Sequence, residues 1–191
     1  MPTPRTQFAI AEYQGKIYCI GGIVDYTTWP DGSIFSLIAC NLNEVYDTAT
    51  DSWSTKAAMP VNGSYNLHAH VVNGKIFVLF GCDLFMYEPV TDVWTNKTGI
   101  HENSEKWNGY SISSIIIDGK IIAFCKFVYF DIVTPYNSYQ KTLTYDPKTD
   151  VWSEIKDGNM DVAGDITVVT TGRYAPQRIY ALGMNYLGDN T

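Results

Sequence analysis

Two histidines on one side of a short apolar stretch, His68 and His70, are the first residues whose types and spacing suggest chemistry. Side chains at i and i+2 of a strand point the same way, and imidazole is a common metal ligand. No third ligand stands at a recognisable spacing, so the pair reads as packed histidines and no metal is expected. Asp25 and Asp31 would do acid and base work only if the fold set them at a suitable separation. Nucleophile and phosphate-cradling patterns are missing: there is no Gly-x-Ser-x-Gly, no glycine loop before a Lys-Ser or Lys-Thr pair, and no His-Glu-x-x-His. The residues therefore argue for a protein without catalysis or cofactor. Binding chemistry remains, carried by aromatic rings beside carboxylates: Asp25, Tyr26, Trp29, Asp31, His101, Glu102, Trp107, Tyr129, Asp131 and Tyr136.

The elements that must position these residues are strands. Aromatic content of 14%, with 14 Tyr, favours an all-β protein, and nowhere do apolar residues recur at helical spacing between caps. Thirteen basic against twenty acidic residues give a net charge of −7, the wrong sign for neutralising nucleic-acid phosphates or an anionic membrane surface. The longest apolar stretch is broken by Asp118-Gly119-Lys120, so neither a membrane span nor a signal peptide is read. Cys19, Cys82 and Cys125 fall in or just after comparable strands of different repeats, where thiols act as small apolar groups and not as disulfide partners.

Repetition organises the chain. Tyr46-Asp47-Thr48-Ala49-Thr50-Asp51-Ser52-Trp53 returns as Tyr87-Glu88-Pro89-Val90-Thr91-Asp92-Val93-Trp94 and as Tyr145-Asp146-Pro147-Lys148-Thr149-Asp150-Val151-Trp152. Upstream of each lies a tight turn leading into an apolar strand, Gly15-Lys16-Ile17, Gly74-Lys75-Ile76 and Gly119-Lys120-Ile121, and Arg178-Ile179-Tyr180 starts a fourth such strand. Gln14-Gly15, Asn73-Gly74 and Asp118-Gly119 are two-residue hairpin turns. Each repeat thus reads as strands a, b, c and d: in the first, 6–13, 16–20, 38–47 and 52–57, with a loop from Ile23 to Leu37 between b and c. The second has strands at 66–72, 75–80, 84–88 and 93–97, and the third at 110–117, 120–127, 139–146 and 151–155. A fourth offers only 165–171 and 178–183.

This pattern, with its period of 41 to 59 residues, resembles the kelch repeat. The resemblance implies an all-β fold, a kelch-type β-propeller fragment of four-stranded antiparallel blades at 1–58, 59–103 and 104–157, with an incomplete blade at 158–191. The double glycine Gly21-Gly22 of blade one is replaced by Phe80-Gly81 in blade two and by Cys125-Lys126 in blade three. Tyr46, Trp53, Tyr87, Trp94, Tyr145 and Trp152 are expected in the core between sheets. Strand alternation puts the b to c and d to a loops on one face, and these carry Trp29 and Trp107, which belong to no repeat signature. That face is the expected site. A protein or peptide ligand is the first expectation, and a carbohydrate-binding or sugar-modifying propeller, its glycan gripped by aromatic rings and carboxylates, the second. Three and a half repeats should leave outer sheet faces uncovered, to be filled by further blades of a parent propeller or by self-association.

Overall fold

The structure, a computed structural model, describes residues 1–63, 67–100, 109–129, 137–156, 167–170 and 179–182, with backbone alone at 109–111, 128–129, 137–138, 167–170 and 179–182. It divides into two compact units, Met1–Gly99 and Ile100–Thr191. All sixteen regular elements of the described residues are strands.

In the first unit, β1 (Ala9–Tyr13), β2 (Lys16–Ile20), β5 (Asn43–Asp47) and β6 (Ser52–Lys56) form one four-stranded antiparallel sheet, in that order. A second is built by β7 (Leu67–Val72), β8 (Lys75–Phe80), β9 (Asp83–Glu88) and β10 (Val93–Lys97). The a to b turns fold as the residue types require: Gln14 and Gly15 stand at φ 53° and 72°, Asn73 and Gly74 at 50° and 76°, the left-handed pair that matches strand twist. Gly22, at φ +107°, closes strand b against the segment before β1. A Cβ there would lie 2.6 Å from the Thr6 carbonyl, which explains the second glycine of the pair.

Alternation along the strands gives each sheet two faces, and one face of each meets the other. Ala9, Ala11, Tyr18, Ile20 and Val45 of the first sheet pack with Ile76, Val78, Phe85 and Tyr87 of the second, and Met59 joins them from the connection. One unit recurs at the c to d turn of each of the first three repeats. The Tyr hydroxyl donates to the Asp five residues on, 2.6 Å for Tyr46 to Asp51, 2.6 Å for Tyr87 to Asp92 and 2.7 Å for Tyr145 to Asp150. All three aspartates hold positive φ, 51°, 58° and 59°, where Asp is tolerated better than most side chains. The Tyr ring lies against the Trp opposite it, with centroids 5.2, 4.9 and 5.1 Å apart. A surface ion pair recurs as well, Lys16 with Asp47, Lys75 with Glu88 and Lys120 with Asp146.

At the other end of repeat one, Arg5 is fully buried and spends its fork on the Glu44 carboxylate, the Gly21 carbonyl (2.8 Å) and the Cys19 carbonyl (2.8 Å). Thr3 Oγ1 donates to the second Glu44 oxygen at 2.7 Å. Burial works to raise the Glu44 carboxyl, but the Arg5 and Thr3 hydrogen bonds prevail and hold it below its ordinary value.

In the second unit, β11 (Gly109–Ile117), β12 (Lys120–Tyr129), β13 (Asn137–Asp146) and β14 (Val151–Glu154) make a four-stranded antiparallel sheet, and β15 (Thr167–Thr170) pairs with β16 (Ile179–Leu182). Strands b and c of this repeat run longer than the sequence suggested, in register from Ile121↔Tyr145 to Tyr129↔Asn137.

Two expectations change. The segment from Ile23 to Leu37 is not a loop: β3 (Ile23–Thr28) and β4 (Ile34–Ala39) pair as a separate antiparallel hairpin. Of the six aromatics assigned to the core, Tyr87 and Tyr145 are fully buried, whereas Tyr46, Trp53, Trp94 and Trp152 are only partly covered. The tryptophans sit on edge strands, so one side of each ring has no further strand to cover it.

Candidate interaction surface

The β3 to β4 hairpin is anchored at its base and free at its tip. Thr6 and Ile23 exchange main-chain hydrogen bonds at 3.0 and 2.8 Å, Cys40 N donates to Gly22 O at 2.9 Å, and Gly63 N donates to Cys40 O at 3.1 Å. Beyond this base every residue from Asp25 to Ile38 is exposed. The tip is shaped by its own residues. Trp29 N donates to Ser33 O at 2.8 Å, Gly32 N to Trp29 O at 2.9 Å, and Asp31 Oδ1 accepts from both Ser33 N (2.9 Å) and Ser33 Oγ (2.6 Å). The Ser33 hydroxyl and N–H hold the Asp31 carboxyl below its ordinary value.

What this hairpin shows to solvent is apolar. Tyr26, Trp29, Ile34, Phe35, Leu37 and Ile38 are 40–62% exposed, and they stand together because Tyr26 pairs with Leu37 and Thr28 with Ile34 while Trp29 meets Phe35 edge to face at 4.7 Å. Single exposed apolar residues are ordinary, but a contiguous group on one projecting element marks a contact surface. Charge adds a sign: no Lys or Arg occurs between Lys16 and Lys56, while Asp25 and Asp31 flank the aromatics.

The structure thus brings Asp25, Tyr26, Trp29 and Asp31 onto one hairpin. It turns two of the carboxylates partly inward: Asp25 Oδ1 accepts from Tyr26 N at 2.8 Å, and one Asp31 oxygen is taken by Ser33. His101, Glu102, Trp107, Asp131 and Tyr136 lie outside the described residues, and Tyr129 closes β12 with its backbone alone described. Sequence reasoning missed Ile34, Phe35, Leu37 and Ile38, the aliphatic half of the surface. Their signal was present, an Ile-Phe-x-Leu-Ile run directly after a Pro-Asp-Gly-Ser turn. His68 and His70 are partly buried on β7, where burial and the neighbouring His68 push His70 down to about 4. Among the described residues no group of three His, Cys, Asp or Glu is placed to hold a metal ion, and all four cysteines are free thiols.

Comparison with known proteins places the architecture. Residues 4–60, the first sheet with its hairpin, match the Kelch motif. Beyond that motif the chain is similar to kelch-repeat proteins. It is 25% identical over 167 residues to a kelch-like protein of Aspergillus terreus, covering 81% of this chain and 34% of that protein. Over 128 residues it is 27% identical to a putative F-box/kelch-repeat protein of Arabidopsis thaliana, covering 64% of this chain and 29% of the relative. The solved structure of YjhT is similar with a TM-score of 0.62 at 16% identity, over 90% of this chain and 57% of that one, a likeness of fold alone. This chain spans about a third of the length of the curated relatives it matches. Its four-stranded sheets are blades, and the hairpin is an insertion between strands b and c of blade one.

Proposed function

We propose that this kelch chain is a non-enzymatic recognition module that binds a protein or peptide ligand through the β3 to β4 hairpin. The observation that carries the reading is the exposure of six large apolar side chains on an element that has no core of its own. A lone two-stranded hairpin is marginal in water, so residues that weaken its solubility need another role, and contact with a partner supplies one. The ligand that fits is apolar with a basic residue, complementary to the exposed Trp29 and Phe35 and to the Asp25 and Asp31 carboxylates of the same hairpin. An extended segment suits it further, because both outer edges of the hairpin offer main-chain groups for strand addition. The kelch-repeat relatives, one of them named for an F-box beside its repeats, are compatible with such a role.

A glycan ligand is the second reading, favoured by the Trp29 ring beside carboxylates, and it is weakened by the Asp25 and Asp31 oxygens already engaged by the hairpin's own N–H and O–H groups. Peptide display and a glycan array run in parallel on the same chain separate the two. The proposal expects enrichment of peptides combining aromatic or aliphatic residues with Lys or Arg, and loss of that enrichment in a Trp29→Ala, Phe35→Ala chain. Glycan hits that depend on Trp29 would transfer the surface to the second reading, and peptide hits indifferent to both changes would remove the hairpin from the site.

A further inference from the structure

The two outer edges of the β3 to β4 hairpin are not alike. Register slips once on each strand: Ile23 pairs with Ala39 and Asp25 with Ile38, leaving Val24 over, while Thr27 pairs with Ser36 and Thr28 with Ile34, leaving Phe35 over. A bulge disrupts the even spacing of main-chain groups that an added strand would use. On β4 it falls inside the strand. On β3 it falls at the base, where Thr6 already closes the edge by an antiparallel bridge to Ile23. The exposed run from Asp25 to Thr28 is thus the longer unbroken edge.

Which groups of that run face outward follows from its ends. Ile23 N and O both bond Thr6, outside the hairpin, whereas Trp29 N turns inward to Ser33 O. Main-chain groups alternate along a strand, so Thr27 faces β4 while Tyr26 and Thr28 face out. Tyr26 behaves accordingly: its N–H donates to the Asp25 Oδ1 beside it, at 2.8 Å. The chain before Thr6 leaves this edge, because Thr3 and Arg5 turn to Glu44. Among the described residues nothing else is bonded to the outer side of this run. Residues opposite one another share a face, so Tyr26 and Thr28 stand with Leu37 and Ile34, and Asp25 and Thr27 with Ile38 and Ser36.

We propose, resting on the reading of the hairpin as the contact surface, that an extended peptide segment adds to β3 as an antiparallel strand along Asp25 to Thr28, in line with Thr6. One of its carbonyls takes the Tyr26 N–H from Asp25 Oδ1, and the carboxylate so released pairs with a Lys or Arg of the segment. Ligand residues opposite Tyr26 and Thr28 continue the face of Leu37 and Ile34 and are apolar. The residue between them stands on the Asp25 face and is basic. The ligand class is therefore a strand alternating apolar and basic residues, with affinity from its main chain and selectivity from the alternation.

The probe is an acetylated, amidated heptapeptide of alternating Val and Lys, free at millimolar concentration and, in a second arm, joined through a flexible Gly-Ser linker ahead of Met1. Amide exchange of the ¹⁵N-labelled chain reads it. The Thr28 amide should slow about tenfold, the factor one hydrogen bond supplies, and the Tyr26 amide should shift as its acceptor changes, with β4 amides unmoved. N-methylation of the Val residues, whose N–H groups face β3, should abolish binding of the free peptide, whereas N-methylation of the Lys residues should not. Exchanging Lys for Gln in the peptide should weaken binding to the native chain and leave binding to Asp25→Ala unchanged. Protection on β4, or binding indifferent to N-methylation of Val, overturns the added strand and leaves the hairpin a contact surface. So does silence in both arms while displayed peptides still bind through Trp29 and Phe35. Absence of any peptide binding through the hairpin removes the reading beneath it, and this inference falls with it.

Discussion

Substituting Asp92 tests the view that one carboxylate joins blade one to blade two. Its Oδ1 accepts from Tyr87, a fully buried residue, and from Ala57 N, at 2.6 and 2.8 Å. In Asp92→Ala both donors lose their acceptor, at about 1–3 kcal/mol for a buried group. Tyr87 has no solvent to turn to and Ala57 has some, which suggests roughly 2 kcal/mol for the first and about 0.5 for the second. The position also holds φ 58°, left-handed backbone that costs an alanine about 1 kcal/mol. Asp92→Ala should then destabilise the first unit by roughly 3 to 4 kcal/mol. Asp92→Asn keeps an oxygen acceptor and a side chain that tolerates this backbone, so only charge assistance is lost, about 1 kcal/mol. Urea unfolding followed by tryptophan fluorescence reads both, as midpoints at unchanged slope. Equal losses for Ala and Asn would refute the acceptor argument, and a loss under about 1 kcal/mol for Ala would refute the joint itself.

Further expectations follow from the same geometry. Arg5→Met leaves the buried Glu44 carboxylate without its cation and should cost about 3–5 kcal/mol in the same assay. Trp94→Ala removes a partly buried ring and the bond to Ala57 O, for about 3 kcal/mol, whereas Trp29→Ala, on the exposed hairpin, should stay within about 0.5. His70 is pushed down to about 4 by burial and by His68, so between pH 6.5 and about 4 the unfolded chain binds the extra proton and stability should fall with falling pH. His70→Gln should flatten that limb of the urea midpoint against pH, and an unchanged slope would refute the assignment. Asp92 lies below its ordinary value because Tyr87 donates to it, a contribution present above the unfolded carboxyl pKa of about 3.9 and lost as pH falls through the folded value; Asp92→Asn should remove it.

The repeat itself was legible because its parts are local. Gln14-Gly15, Asn73-Gly74 and Asp118-Gly119 can take left-handed backbone whatever surrounds them, and the Tyr, Asp and Trp of each c to d hairpin meet across a turn only a few residues long. Type and spacing alone therefore led to the strands, the all-β class and the blades. Trp29 beside Asp25 and Asp31 likewise announced an exposed surface. What sequence could not separate was Tyr46 from Tyr87, since the two copies are chemically equivalent and burial depends on which sheet is laid over each. Nor could it show that Ile34 to Ile38 stand in solvent, because a short apolar run suits a covered strand equally well. Arg5 and Glu44 are 39 residues apart, and nothing along the chain signals that they share one buried site. Local turn and pairing preferences are properties of neighbouring residues, whereas cover, exposure and a buried ion pair are decided by packing between segments distant in sequence, and that is where the tertiary structure was required.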